Sequence, residues 1–120
     1  MQRQPGILNA FRNAARGIGF TVRTQPNARV HLVVTLLVIS AGMILDITRN
    51  DWHWLIAAIA AVWVAELFNT AIEQLTDLVT DQWHPLARNA KDIAAGAVLI
   101  TAVSAAVIGF MIFAPYIFGR

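Results

Sequence analysis

The sequence predicts an all-α membrane protein, an N-terminal amphipathic surface helix followed by three transmembrane helices, and three observations carry that prediction. Hydrophobic residues make up 58% of the 120 residues and charged residues only 13%, far from the balance of a soluble domain. Apolar stretches run from Val30 to Ile47, from Trp52 to Phe68 with only Glu66 interrupting, and from Ile93 to about Phe113. Each approaches the roughly 20 residues that a helix needs to cross a bilayer. Leu32 to Leu45 and Leu55 to Ala65 carry no charge and offer no polar face to water, which argues against a soluble bundle. The chain reads as one domain, residues 1–120, with a surface helix at about 7–23. Its spans are placed at about 30–47, at 52–68 continuing to about 80, and at 92–113.

The first element rests on periodicity. Ile7, Phe11, Ala14, Ile18 and Val22 fall on one side of a helix, and Arg12, Arg16 and Arg23 cluster well away from them. Such a helix lies in the headgroup plane with its arginines toward lipid phosphates and water. The same arginines equally suit a basic patch that only sets topology. The first thirty residues mix Arg3, Arg12, Arg16, Arg23 and Arg29 with apolar side chains and lack an uninterrupted hydrophobic run, so no secretory signal is predicted there. Five of the nine basic residues precede the first span, Arg49 stands alone in the first connection, and Arg88 and Lys91 occupy the second. The excess of positive charge predicts a cytoplasmic N-terminus and second connection, leaving Arg120 outside. With no cysteine, disulfides and thiolate metal sites are excluded.

Gln25 and Pro26 open the first span, because the residue before proline avoids helical geometry and proline suits the first turn of a helix. Asn27, Arg29 and His31 sit at alternate positions in its opening turns. They are read either as interfacial snorkelling groups or as residues facing a polar site at that depth. Asp46 to Asp51 forms a short outer turn, followed by Trp52 and Trp54, which fit an aromatic interfacial belt. The second long helix then runs unbroken to about Thr80. Trp83, His84 and Pro85 mark the inner connection, and the last helix begins near Arg88. Ala94, Ala95, Gly96, Ala97, Ala102, Ser104, Ala105, Ala106 and Gly109 give that helix a small-residue stripe suited to close packing in lipid. Three spans enclose little interior, so oligomerisation is expected to bury polar faces.

The chemistry concentrates on the second long helix. Glu66, Asn69, Glu73 and Asp77 are offset by three, seven and eleven residues, within roughly an 80-degree arc at about 100 degrees per residue. At 1.5 Å per residue the stripe is about 16 Å long. A carboxylate at membrane depth costs a few kcal/mol on insertion scales, so Glu66, Asn69 and Glu73 read as functional. Asp81 reads as a solvated helix end. Oxygen ligands suit Mg²⁺ bound with substrate phosphates, and a separate carboxylate can accept a hydroxyl proton. Lys91, with Arg12 or Arg16, could supply cations for phosphate. No glycine-rich phosphate loop is present. These residues suit phosphoryl transfer; a small oligomeric proton-coupled transporter using Glu66 is the alternative, and a purely structural membrane subunit ranks last.

The run Glu66, Leu67, Phe68, Asn69, Thr70, Ala71, Ile72, Glu73, Gln74, Leu75, Thr76, Asp77, followed by His84 and by Ala90, Lys91, Asp92, resembles the signature of the bacterial integral-membrane diacylglycerol kinase and undecaprenol kinase family. The resemblance extends over nearly the whole chain. It implies a homotrimer in the bacterial inner (cytoplasmic) membrane, with sites shared between subunits. Its reaction is phosphate transfer from Mg-ATP to a lipid alcohol, and no nucleic-acid partner is implied. Carried over by position, Glu66 resembles the base for the lipid hydroxyl and Glu73 a ligand of nucleotide-bound Mg²⁺. Asn69 stands with Glu66 at the lipid-substrate site, positioning groups between the two glutamates. Lys91 and Asp92 resemble a pair that contacts ATP, Gln82, Trp83 and His84 a loop that approaches the nucleotide, and Asp77 another position near it. Asn13 stands where some members place a nucleotide-contacting tyrosine. Gln25 occupies a position that is usually glutamate, a second metal ligand; its neutral amide oxygen predicts weaker Mg²⁺ binding rather than loss of activity. Diacylglycerol and undecaprenol both bring an apolar tail and one hydroxyl, and the Asn27, Arg29, His31 pattern resembles the undecaprenol-type branch more closely.

Overall fold

The computed structural model describes residues 6–119, so Arg3 and Arg120 of the charge count lie outside the described residues. Four helices follow in order: α1 (Ile7–Thr24), α2 (Pro26–Leu45), α3 (Arg49–Val79) and α4 (Pro85–Phe118). The last three are each long and apolar enough to cross a membrane. Local chemistry sets their ends. Gln25 is extended, with φ −110° and ψ 113°, and Pro26 takes the first position of α2. Arg29 closes this corner: its Nη1 donates to the carbonyls of Arg23 at 2.9 Å and Val22 at 3.4 Å, covering the C-terminus of α1. Arg29 thus has a structural role that neither of its two sequence readings included.

At the far end of α2, Asp46 adopts the left-handed conformation with φ 51°. The Ile47 N–H donates to Gly42 O at 3.2 Å and the Asp46 N–H to Met43 O at 3.4 Å, the paired bonds of a Schellman stop. Thr48 then caps α3, its Oγ1 accepting from the Asp51 N–H at 3.1 Å. At the opposite end, His84 Nδ1 accepts from the Leu86 N–H at 3.1 Å and Pro85 opens α4. The last helix therefore starts at Pro85 and not near Arg88, because histidine cap and proline together initiate it three residues earlier.

The antiparallel pair α3 and α4 is the body of the molecule, tied near both ends. Lys91 Nζ donates to Asp77 Oδ1 at 2.7 Å, and Tyr116 OH donates to Asp51 Oδ2 at 2.8 Å while accepting from the Thr48 N–H at 3.2 Å. The two tethers lie 26 residues apart on α3, about 39 Å of helix. The apolar core gathers near Thr48, around Ile47, Leu55 and Ile112. Trp52 packs against this core, and its ring comes so near Gly42 that a Cβ there would stand 2.9 Å from it. Trp52 is half-buried against this core, whereas Trp54 is 57% exposed. The small-residue stripe of α4 is largely uncovered within one chain. Only Ala94 is buried; Ala102, Ala105, Ala106 and Gly109 border an open apolar groove of about 410 Å³ between α2, α3 and α4.

Candidate functional site

Every buried polar residue among those described lies toward the α1–α2 corner: Thr21, Glu66, Asn69 and Thr70. The stripe on α3 grades in exposure along the helix. Glu66 is 0% exposed and Asn69 7%, Glu73 is half-buried, and Asp77 is exposed. Helical pitch places the four side chains on one face, and α2 reaches that face at Glu66, where His31 stands 3.6 Å away. Asn69 Nδ2 donates to Glu73 Oε1 at 3.4 Å, so these two neighbours are joined.

Glu66 is the exceptional residue. Neither carboxylate oxygen has a hydrogen-bond partner, and the nearest basic group is His31 on α2, with Nε2 3.6 Å from Oε2. A buried acceptor without partners normally costs about 1–3 kcal/mol, and more when charged. Asn69 Oδ1 is also buried without a partner. One turn of α2 beyond His31, Trp63 Nε1 donates to Thr35 Oγ1 at 3.0 Å, and this bond fixes the register of α2 against α3 beside the carboxylate.

Beyond Asp77 the structure forms a polar cleft of about 270 Å³ at the α3–α4 connection. Asp77, Gln82, Trp83, His84, Lys91 and Asp92, all singled out in the sequence, line it together. Arg88 lines it as well and reaches Asp92 at 3.7 Å across one helical turn. The sequence analysis assigned Arg88 no place in the site; its i,i+4 spacing from Asp92, next to Lys91, was the signal that could have found it. Lys91 precedes the apolar stretch of α4, and its hydrogen bond to Asp77 raises its pKa above the usual lysine value, outweighing desolvation. The ammonium stays charged at neutral pH. His84 is partly committed, since its Nδ1 caps α4 and only the other ring nitrogen remains for a ligand.

Two residues predicted for the site border neither the cleft nor the groove within one chain. Asn13 is exposed on α1 and borders neither cleft nor groove. Gln25 sits at the helix corner, and its side chain caps neither helix end. Among the described residues, no three His, Asp or Glu side chains group as a complete metal site. The oxygens that are present, the Glu73 carboxylate and the unpartnered Asn69 Oδ1, form a hard-donor set that fits Mg²⁺ carried in on phosphate oxygens.

Comparison with known proteins bears on what this arrangement does. The sequence pattern described as prokaryotic diacylglycerol kinase matches residues 12–113. Similar proteins include the undecaprenol kinase of Bacillus subtilis (strain 168), 42% identical over 109 residues, with 91% of this chain and 89% of that protein covered. A diacylglycerol kinase of Synechocystis sp. is 37% identical over 115 residues, covering 95% of this chain and 66% of that protein. The diacylglycerol kinase of Escherichia coli (strain K12) is 34% identical over 101 residues, covering 84% and 83%.

Proposed function

The chain belongs to the prokaryotic diacylglycerol kinase family and is a lipid kinase, and from that premise we propose that it transfers the terminal phosphate of Mg-ATP to a membrane lipid alcohol, with Glu66 as base. The observation that carries the assignment of Glu66 is its complete burial with both carboxylate oxygens unpartnered. A carboxylate left in that state has open acceptor positions for a substrate hydroxyl. Membership in a kinase family also removes the transporter alternative.

The reaction divides along α3. The lipid hydroxyl gives its proton to a Glu66 oxygen as the alcohol oxygen bonds to the terminal phosphorus, and the bond from phosphorus to the oxygen of ADP breaks. The proton is then on Glu66 and the electron pair leaves with ADP. Mg²⁺, when bound with the nucleotide, neutralises charge on the phosphate oxygens. Glu73, joined by Asn69, would hold it from the middle of the stripe, and Gln25 is the proposed neutral second ligand. The cleft binds the nucleotide through Lys91 and Arg88 on phosphate, with Asp77, Gln82, Trp83, His84 and Asp92 around it. Asn13 completes the nucleotide site from α1.

The setting follows from charge and exposed surface. Lys91, Arg88 and the arginines before α2 belong on the cytoplasmic side of a bacterial inner membrane, with the N-terminus inside. Ile7, Leu8 and Phe11 of α1 are uncovered by protein, as are Arg12, Arg16 and Arg23, which suits a helix lying in the headgroup plane. A homotrimer of single-domain chains would cover the sparsely packed face of α2 and bring Asn13 and Gln25 of one subunit toward a stripe.

Undecaprenol is the first acceptor to test, given the identity to the Bacillus relative. Purified protein in mixed lipid micelles should move label from the terminal position of ATP into the lipid phase when undecaprenol and diacylglycerol compete, with undecaprenol taking the larger share. Label appearing only as inorganic phosphate would remove the lipid-kinase reading; label mainly in diacylglycerol would reverse the acceptor.

A further inference from the structure

The apolar groove and the buried carboxylate meet at one side chain. His31 is the only ionisable residue among those bordering the groove, and its Nε2 is 3.6 Å from Glu66 Oε2. Among the described residues no other basic side chain is within ion-pair distance of Glu66. From this geometry we infer that His31 is a positioning residue for the base: its Nε2–H directs toward Oε2 and fixes the carboxylate so that Oε1 faces the lipid hydroxyl. The inference rests on the reading of Glu66 as base and adds a residue and a role to it.

Three features support this role. Oε2 has no other donor, so the orientation of the carboxylate is not set by anything else in the described chain. The His31 side chain is itself only 18% exposed, which limits competition from water for the contact. The Trp63–Thr35 hydrogen bond, one turn along both helices, holds α2 in the register that presents His31 to Glu66. The contact is longer than a hydrogen bond, and catalytic contacts of this kind commonly tighten when substrate binds. Held by one oxygen, a glutamate loses the rotational freedom about its last bond that would otherwise turn either oxygen away from the substrate. Misplacement of a catalytic group by about 1 Å costs on the order of 10²-fold in rate.

The test compares kcat and KM, for Mg-ATP and for the lipid acceptor, across His31→Leu, His31→Gln, Glu66→Gln and the double variant Glu66→Gln/His31→Leu. Leucine keeps the bulk and removes the donor; glutamine places an amide N–H where Nε2 was. The expected result is a loss in kcat of about 10- to 100-fold for His31→Leu with KM for Mg-ATP unchanged, most of the rate restored in His31→Gln, and no further loss when His31→Leu is added to Glu66→Gln. A wild-type kcat in His31→Leu, an equal loss in His31→Leu and His31→Gln, or a full additional loss on the Glu66→Gln background would each overturn the inference. Should His31→Leu fail to assemble, His31→Asn, too short to reach Oε2, replaces it with the same expected loss. The two readings fail separately: Glu66→Gln at full rate overturns the base assignment, whereas inactive Glu66→Gln beside fully active His31→Leu overturns only the role of His31.

Discussion

At the scale of single residues, the problem posed by Glu66 is energetic. Its carboxylate is removed from water, accepts no hydrogen bond and has one imidazole nearby. A chain optimised for stability alone would replace it with an apolar side chain of similar volume, a change that is often neutral or favourable for buried charges. Gln25 poses the opposite question, since an amide stands where a second carboxylate would add charge. Converting Gln25→Glu should lower the Mg²⁺ concentration needed for half-maximal activity by on the order of tenfold, because ligand charge tunes the affinity of oxygen sites for hard cations. A Mg²⁺ titration of the variant checks this, and an unchanged requirement would take Gln25 away from the metal. The polar stripe was legible in the sequence because helical pitch alone converts offsets of three, seven and eleven into one face. His31 opposite Glu66 and Asp77 opposite Lys91 were not, because both pairings depend on how helices align in space.

At the scale of elements, the three long apolar helices were legible from apolar runs, the second broken only by Glu66, whereas their ends depend on backbone chemistry that hydropathy does not register. Asp46 in the left-handed conformation stops α2 before the apolar run itself ends at Ile47. His84 and Pro85 start α4 within a segment that reads as loop by composition. The turn between α2 and α3 also explains why residue 42 is glycine. An added methyl group would stand 2.9 Å from the Trp52 ring and 3.1 Å from Ile47 Cδ1, and both neighbours are held by the apolar core. Gly42→Ala should therefore destabilise the folded protein by about 1–3 kcal/mol, the usual cost of overpacking. Thermal unfolding in detergent would show a lowered midpoint, with kcat retained at temperatures where the variant is folded. An unshifted midpoint would mean that Trp52 moves aside freely and that the packing near Thr48 is looser than described.

At the scale of the whole molecule, the chain separates stability from chemistry along its long axis. The apolar core sits near the Thr48 end, while buried polar groups, the cleft and the helix corner gather toward the other. Association of apolar helices in lipid rests on packing and on polar contacts between helices, and α3 and α4 are joined by such contacts near both ends, Tyr116–Asp51 and Lys91–Asp77. The large exposed apolar surface of α2 and α4 is left for lipid and, in the proposed homotrimer, for neighbouring subunits. The central claim is that a buried carboxylate in this frame acts as the base for a lipid hydroxyl, with nucleotide held separately in the cleft below it. The most direct measurement is Glu66→Gln in purified protein reconstituted in lipid, scored both for nucleotide affinity and for phosphate transfer from labelled ATP to the lipid. The account predicts unchanged nucleotide affinity with transfer reduced by about 10²- to 10⁴-fold; transfer at the wild-type rate would contradict it.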